Sequence, residues 1–131
     1  MDDEKLVKWF KDVCSEDTES VGGKGASLGE MFQSLSSFGV RVPNGFNVTT
    51  SAYTSFVNTK IPKSTWDNVI EPDGCENIRQ VALSKESLAE ALEEVLEGID
   101  PLNHLELHGR AALARALVMQ TPVPESIRSA I

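Results

Sequence analysis

Three glycines surround a single lysine in the stretch Val21–Ser27, which reads VGGKGAS. Glycine lets the backbone approach a ligand closely with its N–H groups exposed, and lysine adds a full positive charge. Directly afterwards apolar residues recur at steps of three and four, which predicts a helix from about Ala26. Because a helix N-terminus carries partial positive charge, this combination indicates a cradle for a phosphate group, formed by Gly22, Gly23, Lys24 and Gly25.

The spacing separates this motif from two common phosphate-binding patterns. A Walker A loop needs Ser or Thr after its Gly-Lys pair, and here Gly25 follows Lys24. The pattern Gly-x-Gly-x-x-Gly also fails, because Leu28 stands where the third glycine belongs. Spacing alone therefore leaves a second interpretation open, a flexible turn that enters a helix with its lysine in solvent.

Other side chains that could take part in catalysis or metal binding have simpler interpretations. His104 and His108 share a face of a predicted helix and could hold zinc, but a third ligand is lacking because Glu106 points to another face. We therefore predict surface or partly buried helix histidines, no catalytic residue and no metal site. Cys14 and Cys75 lack metal-ligand spacing and are expected to be reduced thiols.

Seven carboxylates and no Lys or Arg occupy residues 86–106. They could bind a metal ion or a basic partner, but they lie opposite a leucine-rich stripe and are expected to form a solvated face. Trp9 and Trp66 are expected to fill a core or an interface.

The elements that must position the glycine stretch follow from the apolar pattern. Leu6–Phe10 reads as a strand, and a second short strand over 40–48 is broken by a Pro-Asn-Gly turn. Thr49 and Thr50 are good N-cap residues for the next helix. The helix between the strands should end at Gly39, with one apolar face made of Leu28, Met31, Phe32, Leu35 and Phe38.

The second half of the chain has helical periodicity throughout. We predict helices at about Thr65–Ile70 and Cys75–Ala82, one opening at Ser84–Ser87, one over Asn103–Gln120 and one starting at Pro124. The helix after Ser87 should bury Leu88, Leu92, Val95, Leu96 and Ile99. The predicted organisation is an α+β (α/β) unit over 1–57, a connecting segment over 58–75, and a helical part over 76–131 that is truncated at its C-terminus.

Composition narrows the classes of partner. The 131 residues carry a net charge of −8, which argues against nucleic acid and against anionic membrane surfaces. The acidic start at Met1–Glu4 is not followed by an apolar segment, and no apolar stretch is long enough to span a membrane, so we expect a cytoplasmic protein.

Three segments together resemble the start of the phosphoenolpyruvate synthase (pyruvate, water dikinase) family. They are 21–31 (VGGKGASLGEM), 39–46 (GVRVPNGF) and 49–53 (TTSAY), with support from Trp9-Phe10 and from 120–127 (QTPVPESI). Pyruvate phosphate dikinases and rifampicin phosphotransferases share much of this opening. The resemblance implies the first subdomain of an ATP-grasp-like nucleotide-binding domain, with Lys24 in contact with ATP phosphates.

The resemblance also implies an activity for the parent enzyme. With ATP and Mg²⁺, such an enzyme makes phosphoenolpyruvate from pyruvate through a phosphohistidine held on another domain. Neither His104 nor His108 stands in the Thr-Cys-His type of motif that carries it. The arginine strand, adenine pocket and acidic metal ligands of the family come from later chain, so we expect the 131 residues alone to be inactive.

The expected partners are ATP and the remaining domains of the parent enzyme. An exposed apolar patch is expected where those domains would pack, and such a patch promotes self-association. The alternative function is a stand-alone, non-catalytic module that binds a nucleotide or a protein on the same scaffold.

Overall fold

The computed structural model describes residues 5–62, 67, 72, 75 and 77–131. The chain divides into two compact units: the first unit is Met1–Ser55 with Pro124–Ile131, and the second unit is Phe56–Val123. The helix predicted at about Thr65–Ile70, with Trp66 in it, falls outside the described residues apart from Asp67. No described helix is both long enough and apolar enough to cross a membrane.

The first unit combines a small sheet with helices, so the fold is α+β, as predicted. Two short 3-10 turns, Phe10–Asp12 and Ser15–Asp17, join the first strand to the first helix. The regular elements are β1 (Val7–Trp9), α1 (Thr18–Ser37), β2 (Phe46–Val48), α2 (Thr50–Val57, which crosses into the second unit) and, last in the chain, α6 (Glu125–Ala130).

The two strands form an antiparallel pair in which Lys8 lies opposite Asn47 and Trp9 opposite Phe46. Because side chains alternate along a strand, Lys8 and Asn47 share one face of the sheet. This polar face is turned toward α1, since Lys8 bonds Ser20 and Asn47 lies against Gly25. The sheet thus has an unusual polarity, with polar side chains directed at the helix.

The opposite face of the sheet is apolar and half exposed. Trp9 and Phe46 make an edge-on ring contact with centroids 5.5 Å apart, and 45% and 39% of these residues remain exposed. Trp9 is therefore not a core residue, contrary to one of the two roles predicted for it. The strand predicted over 40–48 is also shorter than expected, because only Phe46–Val48 pairs with β1.

Helix α1 begins earlier than its periodicity predicts, at Thr18 rather than near Ala26. Gly22 is itself non-helical (φ 75°, ψ 166°) and separates a short first segment from the long segment that follows, so the glycines still stand at the start of the long helical segment, which begins at Gly23 rather than near Ala26. A left-handed φ is inexpensive only without a Cβ, which explains why residue 22 is glycine. The predicted end at Gly39 is confirmed, because Gly39 has φ 79° and the N–H of Val40 bonds the carbonyl of Leu35 at 3.1 Å.

The buried face of α1 consists of small residues rather than of its large apolar ones. Gly25, Ala26 and Gly29 are buried, because a glycine lets the helix lie directly on the chain before it. A Cβ on Gly29 would stand 2.5 Å from the carbonyl oxygen of Val13. Of the predicted apolar face only Phe32 is half-buried, while four members are exposed: Leu28, Met31, Leu35 and Phe38.

The second unit buries a conventional aliphatic core between three helices. These are α3 (Ile78–Leu83), α4 (Leu88–Leu96) and α5 (His104–Gln120). The predicted starts of two of these helices are capped, since the Ser87 side chain accepts a bond from the N–H of Glu90 and the Asn103 side chain from that of Glu106. The core consists of Ile61, Ala82, Leu88, Ala91, Val95, Leu113 and Leu117.

The predicted core face of α4 is only partly correct. Leu88 and Val95 are fully buried and Leu92 packs against the core, as predicted. Leu96, however, is 48% exposed, and Ala91 is buried in its stead. The prediction was based on the spacing of large apolar side chains, so it did not include a small residue such as Ala91.

Candidate functional site

The kink at Gly22 produces a new helical start on the surface of the first unit. Gly23, Lys24 and Gly25 form the opening of the long segment of α1 that follows the kink. The first N–H groups of a helical segment have no acceptor within it, so they remain available to another partner. Gly23 and Lys24 are exposed, and no acceptor among the described residues binds the Lys24 ammonium. The start of the long helical segment thus carries one exposed lysine, Lys24, in its first turn.

Two of the three glycines of the kink have a reason within the chain to be glycine, and the two reasons differ. Gly22 adopts a positive φ, whereas Gly25 is needed for a close approach. A Cβ on Gly25 would lie 2.5 Å from Oδ1 of Asn47 and 3.0 Å from the Cβ of Val21. At Gly23 a Cβ would meet nothing within 4 Å, so nothing described in the chain itself demands glycine there.

Asn47 is the polar neighbour that the sequence analysis missed. Its side chain lies on the inner side of the kink, in the space that a Cβ on Gly25 would fill. The Nδ2 atom of Asn47 is buried and has no hydrogen-bond partner among the described residues. The signal that could have revealed it is the single polar residue between Phe46 and Val48, but only the strand register shows which face it occupies.

A compact polar network holds the turn of helix before the kink. The Lys8 ammonium donates to Ser20 Oγ at 3.1 Å and to Asp17 Oδ1 at 3.4 Å. Hydrogen bonds from the backbone N–H of Cys14 (2.9 Å) and from its thiol, helped by Lys8, lower the pKa of the Asp17 carboxyl. Lys8 is thus committed to Asp17 and Ser20, and Lys24 is the lysine left at the kink itself.

Two cavities of about 370 Å³ each lie elsewhere in the first unit. One is lined by Leu6, Thr50, Ser51, Thr54 and Ser55. The other is lined by Glu16, Asp17, Glu19, Ser20 and Thr50, and its carboxylates would repel a phosphate. Neither is lined by Lys24, which is exposed at the kink.

The remaining candidates behave as surface groups. His104 and His108 are both exposed, as predicted. Glu106 forms an ion pair with Arg110 at 2.7 Å. Across the part of the chain that the structure describes, no three His, Cys, Asp or Glu side chains are grouped to hold a metal ion.

The acidic face and the thiols also match their predicted surroundings. Most carboxylates over residues 86–106 are exposed, and Glu94 forms an ion pair with Lys85 at 3.2 Å. Cys14 is exposed, Cys75 is buried, and neither forms a disulfide.

Comparison with known proteins gives a consistent result over most of the chain. Residues 18–131 match the family described as pyruvate phosphate dikinase, AMP/ATP-binding domain. The chain is 32% identical over 126 residues to a phosphoenolpyruvate synthase of Synechocystis, covering 96% of this chain and 12% of that protein.

Two further relatives give similar figures. A phosphoenolpyruvate synthase of Helicobacter pylori is 31% identical, covering 97% of this chain and 12% of its own length. A probable phosphoenolpyruvate synthase of Pyrococcus horikoshii is 33% identical, and the match covers 97% of this chain and 16% of that protein. The chain thus spans less than a fifth of the length of these relatives.

Proposed function

Because the chain belongs to the family of the pyruvate phosphate dikinase AMP/ATP-binding domain, we propose that it supplies one wall of an ATP site. In this proposal Gly22, Gly23, Lys24 and Gly25 contact the phosphates of the nucleotide. The observation that supports it is the kink at Gly22, after which a new helical segment begins with the exposed Lys24 in its first turn. The fold around it would be the first subdomain of an ATP-grasp-like domain.

The residues at the kink suit a polyphosphate better than an uncharged ligand. Lys24 would act as a point charge against phosphate oxygens, and the N–H groups after Gly22 would donate hydrogen bonds to them. Gly23 would allow the ligand to lie against the backbone, since a side chain there would stand between the two. These groups bind and position; none of them is a general base or a nucleophile.

The parent enzyme would be of the phosphoenolpyruvate synthase type. It would transfer phosphate from ATP to pyruvate through a phosphohistidine on another domain, with Mg²⁺ neutralising charge on the phosphates. The names of the relatives support this assignment. The 131 residues would be inactive alone, so incubation with Mg-ATP and pyruvate should yield no phosphoenolpyruvate, and detection of that product would refute this part of the proposal.

The role of Lys24 can be tested by nuclear magnetic resonance. ATP added to the ¹⁵N-labelled chain should shift the backbone amides of Gly23, Lys24 and Gly25 saturably. Lys24→Gln removes one charge-assisted contact and should weaken ATP binding, with a rise in Kd of about tenfold or more. Lys11→Gln is the matched control, because Lys11 is another exposed lysine of the first unit. Equal weakening by both variants, or unmoved amides at the kink, would contradict the proposal.

Gly23→Ala tests the close approach of the ligand separately from the charge. The new Cβ meets nothing in the described chain, so the fold should be kept, and only a ligand lying on the backbone would sense it. We expect weaker ATP binding with an unchanged circular dichroism spectrum. Unchanged ATP affinity in this variant would place the phosphates elsewhere.

The proposed partners beyond ATP are the remaining domains of the parent enzyme. The half-exposed apolar side of the sheet, with Trp9 and Phe46, supports a contact with further protein surface. The same surface favours the alternative function, a stand-alone protein-binding module, and would permit self-association. Sedimentation of the chain at increasing concentration distinguishes self-association from a monomer. A cytoplasmic location stays a prediction.

A further inference from the structure

The short first segment of α1, residues 18–21, is joined to the long segment only through Gly22. Gly22 adopts φ 75° and ψ 166°, and glycine visits positive and negative φ values with similar ease. The backbone at the break therefore does little to fix the angle between the two segments. That angle must be set by the contacts that hold each segment to the rest of the first unit.

The long segment is held along its buried side by the chain that connects β1 to α1. Gly29 lies directly against the backbone of Val13. The Gln33 amide donates to the carbonyl of Phe10 at 3.3 Å and also to the carbonyl of Val13. None of these contacts involves the short segment, so the short segment needs restraints of its own.

Two side chains from other elements supply restraints on the short segment. The Lys8 ammonium, on β1, donates to Ser20 Oγ at 3.1 Å. The Thr50 hydroxyl, at the start of α2, donates to the backbone carbonyl of Glu19 at 3.2 Å. The last carbonyls of a helical segment lack acceptor partners within it, so a hydroxyl from outside can satisfy one of them and hold the segment in place.

The position of Thr50 is fixed by the residue before it. Thr49 is buried, its backbone N–H donates to the carbonyl of Leu6 at 3.0 Å, and its hydroxyl donates to the carbonyl of Lys5 at 2.9 Å. The same hydroxyl accepts from the N–H of Ala52 at 3.4 Å and so caps α2. Both restraints on the short segment therefore come from one corner of the first unit, where β1 and α2 begin.

We propose that Lys8 and Thr50 are positioning residues of the kink, which hold the short segment so that the glycines after it keep one conformation. The functional consequence rests on the proposed function, because the conformation at Gly22 sets where the long segment begins and where Lys24 stands. Neither positioning residue would touch the ligand, since each side chain is already bonded to the segment that it holds.

The first measurement needs no ligand. Thr50→Val removes the hydroxyl at nearly constant shape, and we expect it to shift the backbone amide signals of Gly22 and Gly23 in the ¹⁵N-labelled chain. Thr50→Ser keeps a donor and should leave these signals close to their original positions. Thr54→Val is the matched control, because Thr54 is also exposed on α2 and its hydroxyl forms no hydrogen bond with the described residues of α1.

Lys8→Met tests the restraint from the sheet, with Lys11→Met as the control for loss of a positive charge. Lys8→Met should shift the same glycine signals, and adding Thr50→Val should shift them further. Titration with ATP follows the functional consequence: Lys8→Met and Thr50→Val should each raise the apparent Kd by about threefold or more, because only molecules with the ordered kink would bind. A merely stabilising role would lower the urea midpoint and leave the glycine signals and the Kd unchanged.

The outcomes separate this inference from the proposed function. If the glycine signals move no further in Thr50→Val than in Thr54→Val, the positioning role is refuted whether or not ATP binds. If they move as expected but ATP shifts no amide of the kink in the original chain, the positioning role stands and the phosphate site is refuted. If they move while the affinity for ATP is unchanged, the functional consequence is refuted, since the ligand does not depend on the conformation of the kink.

Discussion

The two units of the chain reach stability by different means. The second unit buries large side chains, with Leu88, Leu113 and Leu117 fully removed from solvent. The first unit buries small residues such as Gly25 and Gly29, directs polar side chains inward, and leaves most of its large apolar ones half exposed. The difference indicates that the second unit is organised around a core of large side chains, whereas the first unit is organised around close backbone approach.

The largest expected effect tests the core of the second unit. Leu113→Ala should lower the free energy of unfolding by about 2–5 kcal/mol, because the cavity lies where the helices meet. Hydrogen exchange of the α5 amides measures this change. Leu105→Ala is the control on the same helix, since Leu105 is 64% exposed and its loss should be nearly neutral. If Leu113→Ala and Leu105→Ala lower the free energy of unfolding by similar amounts, the second unit does not depend on its buried core as described.

The next effect tests close approach in the first unit. Gly29→Ala should lower the free energy of unfolding by about 1–3 kcal/mol, because the new methyl group would meet the backbone of Val13 and α1 must move away. Urea unfolding followed by circular dichroism gives the value. If the substitution is harmless, α1 is not held by the approach of its backbone to Val13.

A smaller effect of opposite sign is expected at Gly23. Gly23→Ala should raise the free energy of unfolding by about 0.4–1 kcal/mol, since its φ is not positive, the new methyl group meets nothing, and the unfolded chain loses freedom. The same urea experiment measures it, and Gly29→Ala is its matched partner on α1. A variant that is more stable yet binds ATP less tightly would show that glycine is kept at this position for the ligand.

The smallest effect concerns pH. Hydrogen bonds from Cys14 lower the pKa of Asp17 in the folded chain. Asp17 therefore contributes stability that is complete above its ordinary pKa of about 3.9 and is lost as pH falls through the lower folded value. The urea midpoint of Asp17→Asn should fall less between pH 5 and pH 2 than that of the original chain.

Local features were predictable from the sequence because their causes are local. The caps at Ser87 and Asn103 and the end of α1 at Gly39 depend on neighbouring residues alone. The exposed histidines followed from the absence of a third ligand. The sequence predicted that the glycines interrupt the chain before a long helix, but it did not reveal the short helical segment from Thr18 that precedes the break at Gly22.

Features set by distant contacts could not be predicted in the same way. The buried face of α1 depends on Val13 meeting Gly29, so the apolar stripe pointed to the wrong face. Asn47 enters the site only through the register of β2 with β1. Periodicity records side-chain types along one element, whereas these contacts depend on how closely two elements approach.

The pairing of β1 with β2 has a consequence for the order of folding. The two strands stand on either side of α1 in the sequence, so joining them closes a loop that contains the whole helix. Helical turns form from local contacts in about a microsecond or less, whereas distant strands must first meet by diffusion of the chain. We therefore expect α1 to form first and the contact between Asn47 and the kink to form late. During synthesis on the ribosome, Asn47 would reach Gly25 only after β2 has emerged.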